Sequence, residues 1–374
     1  MAALTMESTV AALLYPGKGI LAADESFPTI EKRFAALQIA SNEENRRAYR
    51  ALLLTTPGLS EFISGVILFD ETLRQRIGAD SFPEALVGRG IVPGIKVDHG
   101  TTALAGFAGE KITQGLEGLR ERLAVYSELG ARFTKWRAVI AIDERRPSVA
   151  CLEANARALA LFAALSQEAG LVPIVEPEVL MDGNHSLARC EEVTTAALKS
   201  VFAALFEQRV VPELMLLKTG MVLPGRDNPQ QTDPRTVAEA TLHCLRRVVP
   251  ASVPGIVFLS GGQSDVTATG RLKAICQAGE APWTLSFSFG RALQDEALKT
   301  WHGDPANIAA AQAALYHRAE CNGIALQGSH DHAVSAPPSR PAAGLVLCDP
   351  HLPLGDVRPM KQRAIERWES DGGL

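Results

Sequence analysis

The sequence has 374 residues and no C-x-x-C pair. Its six cysteines (Cys151, Cys190, Cys244, Cys276, Cys321 and Cys348) are scattered. In a chain this long they read as reduced core or surface thiols in a cytosol. A long apolar run is also missing. The longest stretch without charge, Val248 to Ser264, is about a residue short of a membrane span and is broken by Pro250, Pro254, Gly255, Gly261 and Gly262. There is no excess of basic charge: 37 Lys and Arg against 42 Asp and Glu leave −5. That balance argues against nucleic acid or an acidic membrane as the main partner, but not against small anionic substrates, which respond to local charge. Glu7 precedes the first basic residue, Lys18, so no signal peptide is expected. With 47% apolar and 21% charged residues, the chain can offset its conformational entropy by burial. These absences leave a soluble, cytoplasmic, globular protein.

Short β-prone runs recur along the chain. They are Gly19 to Ala23, Val66 to Phe69, Ile95 to Val97, Phe133 to Arg137, Val172 to Val175, Leu214 to Leu217, Val257 to Leu259 and Leu285 to Phe289. Stretches with helical period lie between several of them, such as Val237, Thr241, Cys244 and Val248, or Ile308, Gln312, Leu315 and Ala319. Asp304-Pro305 is a start signal for the latter helix. The gaps are long enough for the crossover helices that parallel strands require. Eight such units fit a (β/α)8 barrel, and a doubly wound open sheet fits the alternation equally well. From Ser335 to Pro359 there are six prolines and little periodicity. The division is therefore one large α/β domain over residues 1–330 and an extended tail over 331–374.

Polar residues sit repeatedly at the ends of these runs. Asp24 and Ser26 follow the first, Asp98 and His99 the third, Lys135 and Arg137 end the fourth, and Glu176 and Glu178 follow the fifth. Lys218 follows the sixth, Ser260 the seventh, and Ser288 and Arg291 mark the eighth. Lys135 and Arg137 are two apart, so they share a strand face while Trp136 takes the other. One lysine after an apolar strand is ordinarily a solvated end residue. Converging ends with both signs of charge describe a site. Lys218 follows Leu214-Met215-Leu216-Leu217, so its amine is desolvated, and Lys135 is expected to face it across the mouth. Both effects lower a lysine pKa and favour an amine nucleophile. Glu176 and Glu178 then move protons, or merely neutralise the two lysines.

A second group describes an anion site. Ser260-Gly261-Gly262 places two glycines after the seventh strand, where backbone amides can approach a phosphate. Ser288, Gly290 and Arg291 add small polar groups and a cation after the eighth, the other usual phosphate loop of a barrel. Lys32-Arg33 with Arg46 and Arg47 make a third patch, either a second anion site or a solvated helix face. His330-Asp331-His332 lies far from the strand ends, and no metal site stands out.

These motifs resemble the class I, Schiff-base-forming fructose-bisphosphate aldolases. The matching segments are GKGILAADES at 17–26, EENRRAYRALLLTTPG at 43–58, GVILFDETL at 65–73, GIKVDHG at 94–100 and FTKWR at 133–137. LVPIVEPEVLMDGNH at 171–185, LLKTGMVLPG at 216–225, FLSGGQS at 258–264 and SFGRALQ at 288–294 complete the set. The resemblance implies a (β/α)8 TIM barrel with an irregular C-terminal tail, a cytoplasmic homotetramer, and no metal or organic cofactor. It implies reversible cleavage of fructose 1,6-bisphosphate to dihydroxyacetone phosphate and glyceraldehyde 3-phosphate. By likeness, Lys218 is the Schiff-base lysine, Glu176 the general acid/base and Glu178 the carboxylate that orients the lysine. Lys135 and Arg137 are the charged pair beside the substrate, and Asp24 lies near the carbon-four hydroxyl. Ser260, Gly261, Gly262, Ser288, Gly290 and Arg291 match the grip on the ketone-end phosphate, and Arg33 and Arg46 match further phosphate-contacting arginines.

Three departures from the family pattern carry expectations. His99 stands where a lysine is common, which weakens the far-phosphate grip or makes it pH-dependent. Thr219-Gly220-Met221 replaces the usual Pro-Asn-Met, which alters loop stiffness more than chemistry. The animal enzymes end in a tyrosine that assists proton transfer, whereas this chain ends Asp371-Gly372-Gly373-Leu374, so another group returns the proton. Two other readings follow: a preference for another phosphoketose, such as sedoheptulose 1,7-bisphosphate or fructose 1-phosphate, and a catalytically weak barrel used as a scaffold.

Overall fold

Eight short strands close on one another in chain order in the structure, a computed structural model that describes residues 5–327. They are β1 (Gly19–Ala23), β2 (Ile63–Leu68), β3 (Val92–Lys96), β4 (Phe133–Ile140), β5 (Val172–Val179), β6 (Leu216–Thr219), β7 (Gly255–Phe258) and β8 (Thr284–Phe289). All neighbours are parallel, and β8 returns to β1 with Ser288 opposite Ile20. Closure decides for the (β/α)8 barrel over the open sheet.

The period of two sorts the core. Leu21, Trp136, Val175, Leu217, Phe258, Phe287 and Phe289 point outward and bury against the helices. Ile20, Ile67, Val92, Phe133, Ile174, Leu216 and Val257 form a separate inner cluster. Val10 and Leu13 of the helix Met6–Leu13 join that inner set, so this helix stoppers the base of the barrel. The fit is close: a side chain at Gly65 would stand 2.5 Å from Leu13, and one at Gly94 would stand 2.3 Å from the Phe133 ring. The helix Val149–Glu168 is long and apolar enough to cross a membrane. Here it lies on β4 and β5, with Phe162 stacked on Trp136 at 5.7 Å.

Several boundaries differ from the sequence expectation: Lys218 lies within β6 rather than after it, because Leu214 belongs to a 3-10 turn and the strand starts at Leu216. The ladder between β4 and β5 continues past the apolar run, pairing Arg137 with Glu176 and Val139 with Glu178. Glu176 and Glu178 therefore lie within the strand rather than after it, because cations on the two neighbouring strands neutralise them and the backbone need not turn away. Asp304 caps a short 3-10 turn, Pro305–Asn307, and the helix Ile308–Leu326 begins only after it. The five described cysteines are all free. The expected tail over 331–374, Cys348 and His330-Asp331-His332 lie outside the described residues.

Candidate active site

Inward-facing positions at the C-terminal ends of the strands carry the charge. Lys218 of β6 is buried, with its Nζ 3.0 Å from Oε1 of Glu176 on β5. The other oxygen of Glu176 lies 3.0 Å from Nζ of Lys135 on β4, which also donates a 2.9 Å hydrogen bond to Asp24 after β1. Four residues from four strand ends thus form one chain: Asp24, Lys135, Glu176, Lys218. Burial works against a charged Asp24, but Lys135, Lys218 and Lys96 outweigh it and bring the carboxyl down to about 2. Burial likewise works against a charged Lys135, and Asp24, Glu176 and Asp98 hold its pKa well above the ordinary lysine range.

This arrangement corrects two expectations. Lys135 does not face Lys218 as a bare like charge, because the carboxylate of Glu176 stands between them. Two adjacent ammonium groups in a low-dielectric lumen would repel strongly, and an interleaved carboxylate removes that cost. Glu178 does not reach Lys218 either. It pairs with Arg137 of β4, so Glu176 is the carboxylate in contact with the lysine.

Arg33 and Arg46 are occupied too. Arg33 pairs with Glu25 and, at 3.0 Å, with Asp295, and it donates to Gln294 at 3.0 Å. Arg46 forms a two-pronged contact with Glu71 at 2.6 and 2.8 Å. Neither guanidinium is a free anion site, as the patch Lys32-Arg33-Arg46-Arg47 suggested. The counter-charges Glu25, Glu71 and Asp295 come from other segments.

The loops after β7 and β8 are built differently. Leu259 donates to Thr219 at 2.9 Å, which places Ser260 beside the end of the strand that carries Lys218. Gly261 and Gly262 have φ of 59° and 93°, a region that costs other residues strain. Ser288 is 1% exposed and its Oγ has no hydrogen-bond partner among the described residues. A buried hydroxyl left unpaired is costly unless a ligand completes it. Gly290 precedes the helix Arg291–Trp301 without a side-chain cap, leaving its first amides open to an anion. Arg291 is exposed and has no ion-pair or hydrogen-bond partner among the described residues.

His99 lies exposed at the rim after β3, its backbone N–H bound to Gln114 at 2.8 Å. Partial burial, then Arg122 and Lys96, lower its pKa below the ordinary histidine value.

Two residues of the mouth escaped the sequence reading. Lys96 is in register with Lys135 and pairs with Asp98 at 2.6 Å. Its signal was available, since it shares parity with the inward Val92. Arg226 stands after β6, one residue beyond the LLKTGMVLPG segment, and its position depends on loop contacts that no local pattern reveals.

Comparison with known proteins bears on these features together. A family model described as class-I fructose-bisphosphate aldolase, glycolytic, matches residues 5–341. A probable fructose-bisphosphate aldolase class 1 from Xanthomonas axonopodis pv. citri is 56% identical over 325 residues, covering 86% of this chain and 97% of that protein. A cytosolic fructose-bisphosphate aldolase 4 from Arabidopsis thaliana is 50% identical over 317 residues, covering 84% of this chain and 81% of its own. Among solved structures, a Plasmodium falciparum fructose-bisphosphate aldolase, crystallised with TRAP and a small-molecule inhibitor, superposes with a TM-score of 0.86. It is 45% identical, over 88% of this chain and 95% of that one.

Proposed function

Since the chain belongs to the class-I fructose-bisphosphate aldolase family, we propose that Lys218 is the amine through which it cleaves and forms fructose 1,6-bisphosphate. The enzyme is an aldolase, a carbon–carbon lyase, and the observation that supports this assignment of the chemistry is the buried contact of Lys218 with Glu176. Glu176 takes a proton from the ammonium, and the free amine adds to the ketone carbon of the sugar. The same carboxylate returns that proton to the carbinolamine hydroxyl, which leaves as water and gives a protonated imine. The imine is an electron sink. The bond between carbons three and four breaks as the carbon-four hydroxyl gives up its proton, and the electron pair is held as an enamine. Asp24, an acceptor at neutral pH, stands beside this reaction. Lys135 remains a cation beside Asp24 and Glu176 and keeps Asp24 ionised. Glyceraldehyde 3-phosphate departs, carbon three is reprotonated, and water releases dihydroxyacetone phosphate from Lys218.

The ketone-end phosphate fits Ser260, Gly261, Gly262, Ser288, Gly290 and Arg291, where open amides, an orphaned hydroxyl and an unpaired guanidinium converge. The far phosphate is assigned to the His99 side. Preference for fructose 1,6-bisphosphate over other phosphoketoses, a homotetrameric assembly and a cytoplasmic location complete the reading. Relatives named cytosolic and cytoplasmic support the last of these.

The test is borohydride reduction in the presence of dihydroxyacetone phosphate. A stable adduct on Lys218, absent from Lys218→Ala, is expected. An adduct elsewhere, or none, overturns the mechanism.

A further inference from the structure

The inward charges of the mouth balance. Asp24, Asp98, Glu176 and Glu178 meet Lys96, Lys135, Arg137 and Lys218, each within ion-pair reach of a partner. Attraction for an anionic substrate must then come from cations outside this set.

Two such groups point at one place. A side chain at Gly262 would stand 2.6 Å from Nη2 of Arg226 and 3.3 Å from Nη2 of Arg291. Two guanidinium groups therefore crowd the same turn of the glycine loop, from the loops that flank it on either side. Like charges hold such an arrangement poorly unless an anion lies between them.

The backbone under Arg226 is fixed. Gly225 donates to His185 at 2.8 Å, Arg226 to Met181 at 2.7 Å and Asp227 to Gly183 at 2.9 Å. A side chain at Gly225 would stand 2.2 Å from the Gly183 carbonyl, so the segment is zipped tightly to the loop after β5. On the other side, Gln263 is held by Arg271 at 2.9 Å. The guanidinium itself is held loosely. Its nearest counter-charge is Asp182 at 3.6 Å, and both side chains are more than half exposed. The orphaned Oγ of Ser288 independently points to a ligand at this end of the mouth.

We infer that Arg226 is a second phosphate-gripping arginine, paired with Arg291 across Gly262, and a determinant of this enzyme's preference for a phosphorylated ketone. The inference rests on placing the ketone-end phosphate at the glycine loop. In the free enzyme Asp182 shares the Arg226 guanidinium, and the phosphate displaces it. Bidentate contact with a phosphate is the geometry a guanidinium supplies and an ammonium does not.

The experiment uses inorganic phosphate as a competitive inhibitor of cleavage. It also uses the ratio of borohydride trapping with dihydroxyacetone phosphate to trapping with dihydroxyacetone, which lacks the phosphate and serves as an internal reference for folding and for Lys218. Arg226→Gln should raise the inhibition constant for phosphate about tenfold and lower the trapping ratio by a similar factor. Asp182→Asn should shift both the other way, because it frees Arg226. If Arg291→Gln weakens phosphate while Arg226→Gln leaves phosphate and the ratio unchanged, the inference about Arg226 fails and the phosphate placement stands. If neither variant affects them, the placement itself is overturned, and the inference with it.

Discussion

Oε1 and Oε2 of Glu176 each lie 3.0 Å from a different lysine, Lys218 on one side and Lys135 on the other. One carboxylate thus touches both the proposed nucleophile and the cation that pairs with Asp24. Glu176→Gln keeps the shape and removes the charge, leaving two ammonium groups without a counter-ion between them. Its kcat for fructose 1,6-bisphosphate should fall roughly 10²- to 10⁴-fold, the usual worth of a positioned acid/base group. Single-turnover trapping should slow in parallel. Wild-type rates in this variant would remove Glu176 from the mechanism.

Asp24 predicts an acid limb in stability. Its carboxyl falls from 3.8 to about 2 on folding, against burial, because Lys135, Lys218 and Lys96 favour the charged form. A depressed pKa contributes stability fully present above the unfolded value and lost as pH falls through the folded one. The contribution, on the order of 2 kcal/mol, should therefore disappear between about pH 4 and pH 2. Urea titrations should show the stability gap between wild type and Asp24→Asn narrowing over that window. A gap independent of pH would rule out the ionised pair as its source.

The lowered pKa of His99 leaves the imidazole neutral at neutral pH. Acidification through that depressed value charges it, so KM for fructose 1,6-bisphosphate should fall relative to KM for fructose 1-phosphate. In His99→Lys the preference for the bisphosphate should rise about tenfold at pH 7, and the acid dependence of the ratio should vanish. Cleavage rates on the two sugars across pH decide it. Unchanged ratios would mean that the far phosphate does not meet this residue.

Trp136 is fully buried between the barrel and the helix Val149–Glu168. Trp136→Ala should cost about 3–5 kcal/mol in chemical denaturation. Its Nε1 has no hydrogen-bond partner among the described residues, so Trp136→Phe loses volume but no hydrogen bond and should cost much less. Equal losses in the two variants would contradict the packing account.

All eight strands were readable because each inward or outward choice repeats every second residue and apolar runs end in charge at one side only. The same rule found Lys218, Lys135, Glu176 and Asp24. What it could not supply was pairing. Arg33 looked available for an anion because its partner Asp295 is 262 residues away in the chain. Glu178 was expected beside Lys218 by family likeness, yet it pairs with Arg137 of the neighbouring strand. Lys96 shares inward parity with Val92, which makes it legible beside the more conspicuous Asp98 and His99. Arg226 follows from three backbone hydrogen bonds between two loops, and such a junction leaves no periodic trace.

The helix Met6–Leu13 gives the barrel a further property. With Val10 and Leu13 filling the base, the interior is a well with a single opening, and traffic is one-lane. The ketose enters and both products of its cleavage leave past the same rim. On this reading Arg226 and Arg291 stand at that doorway as well as at the phosphate. A phosphate held there would stand in the path of the next sugar.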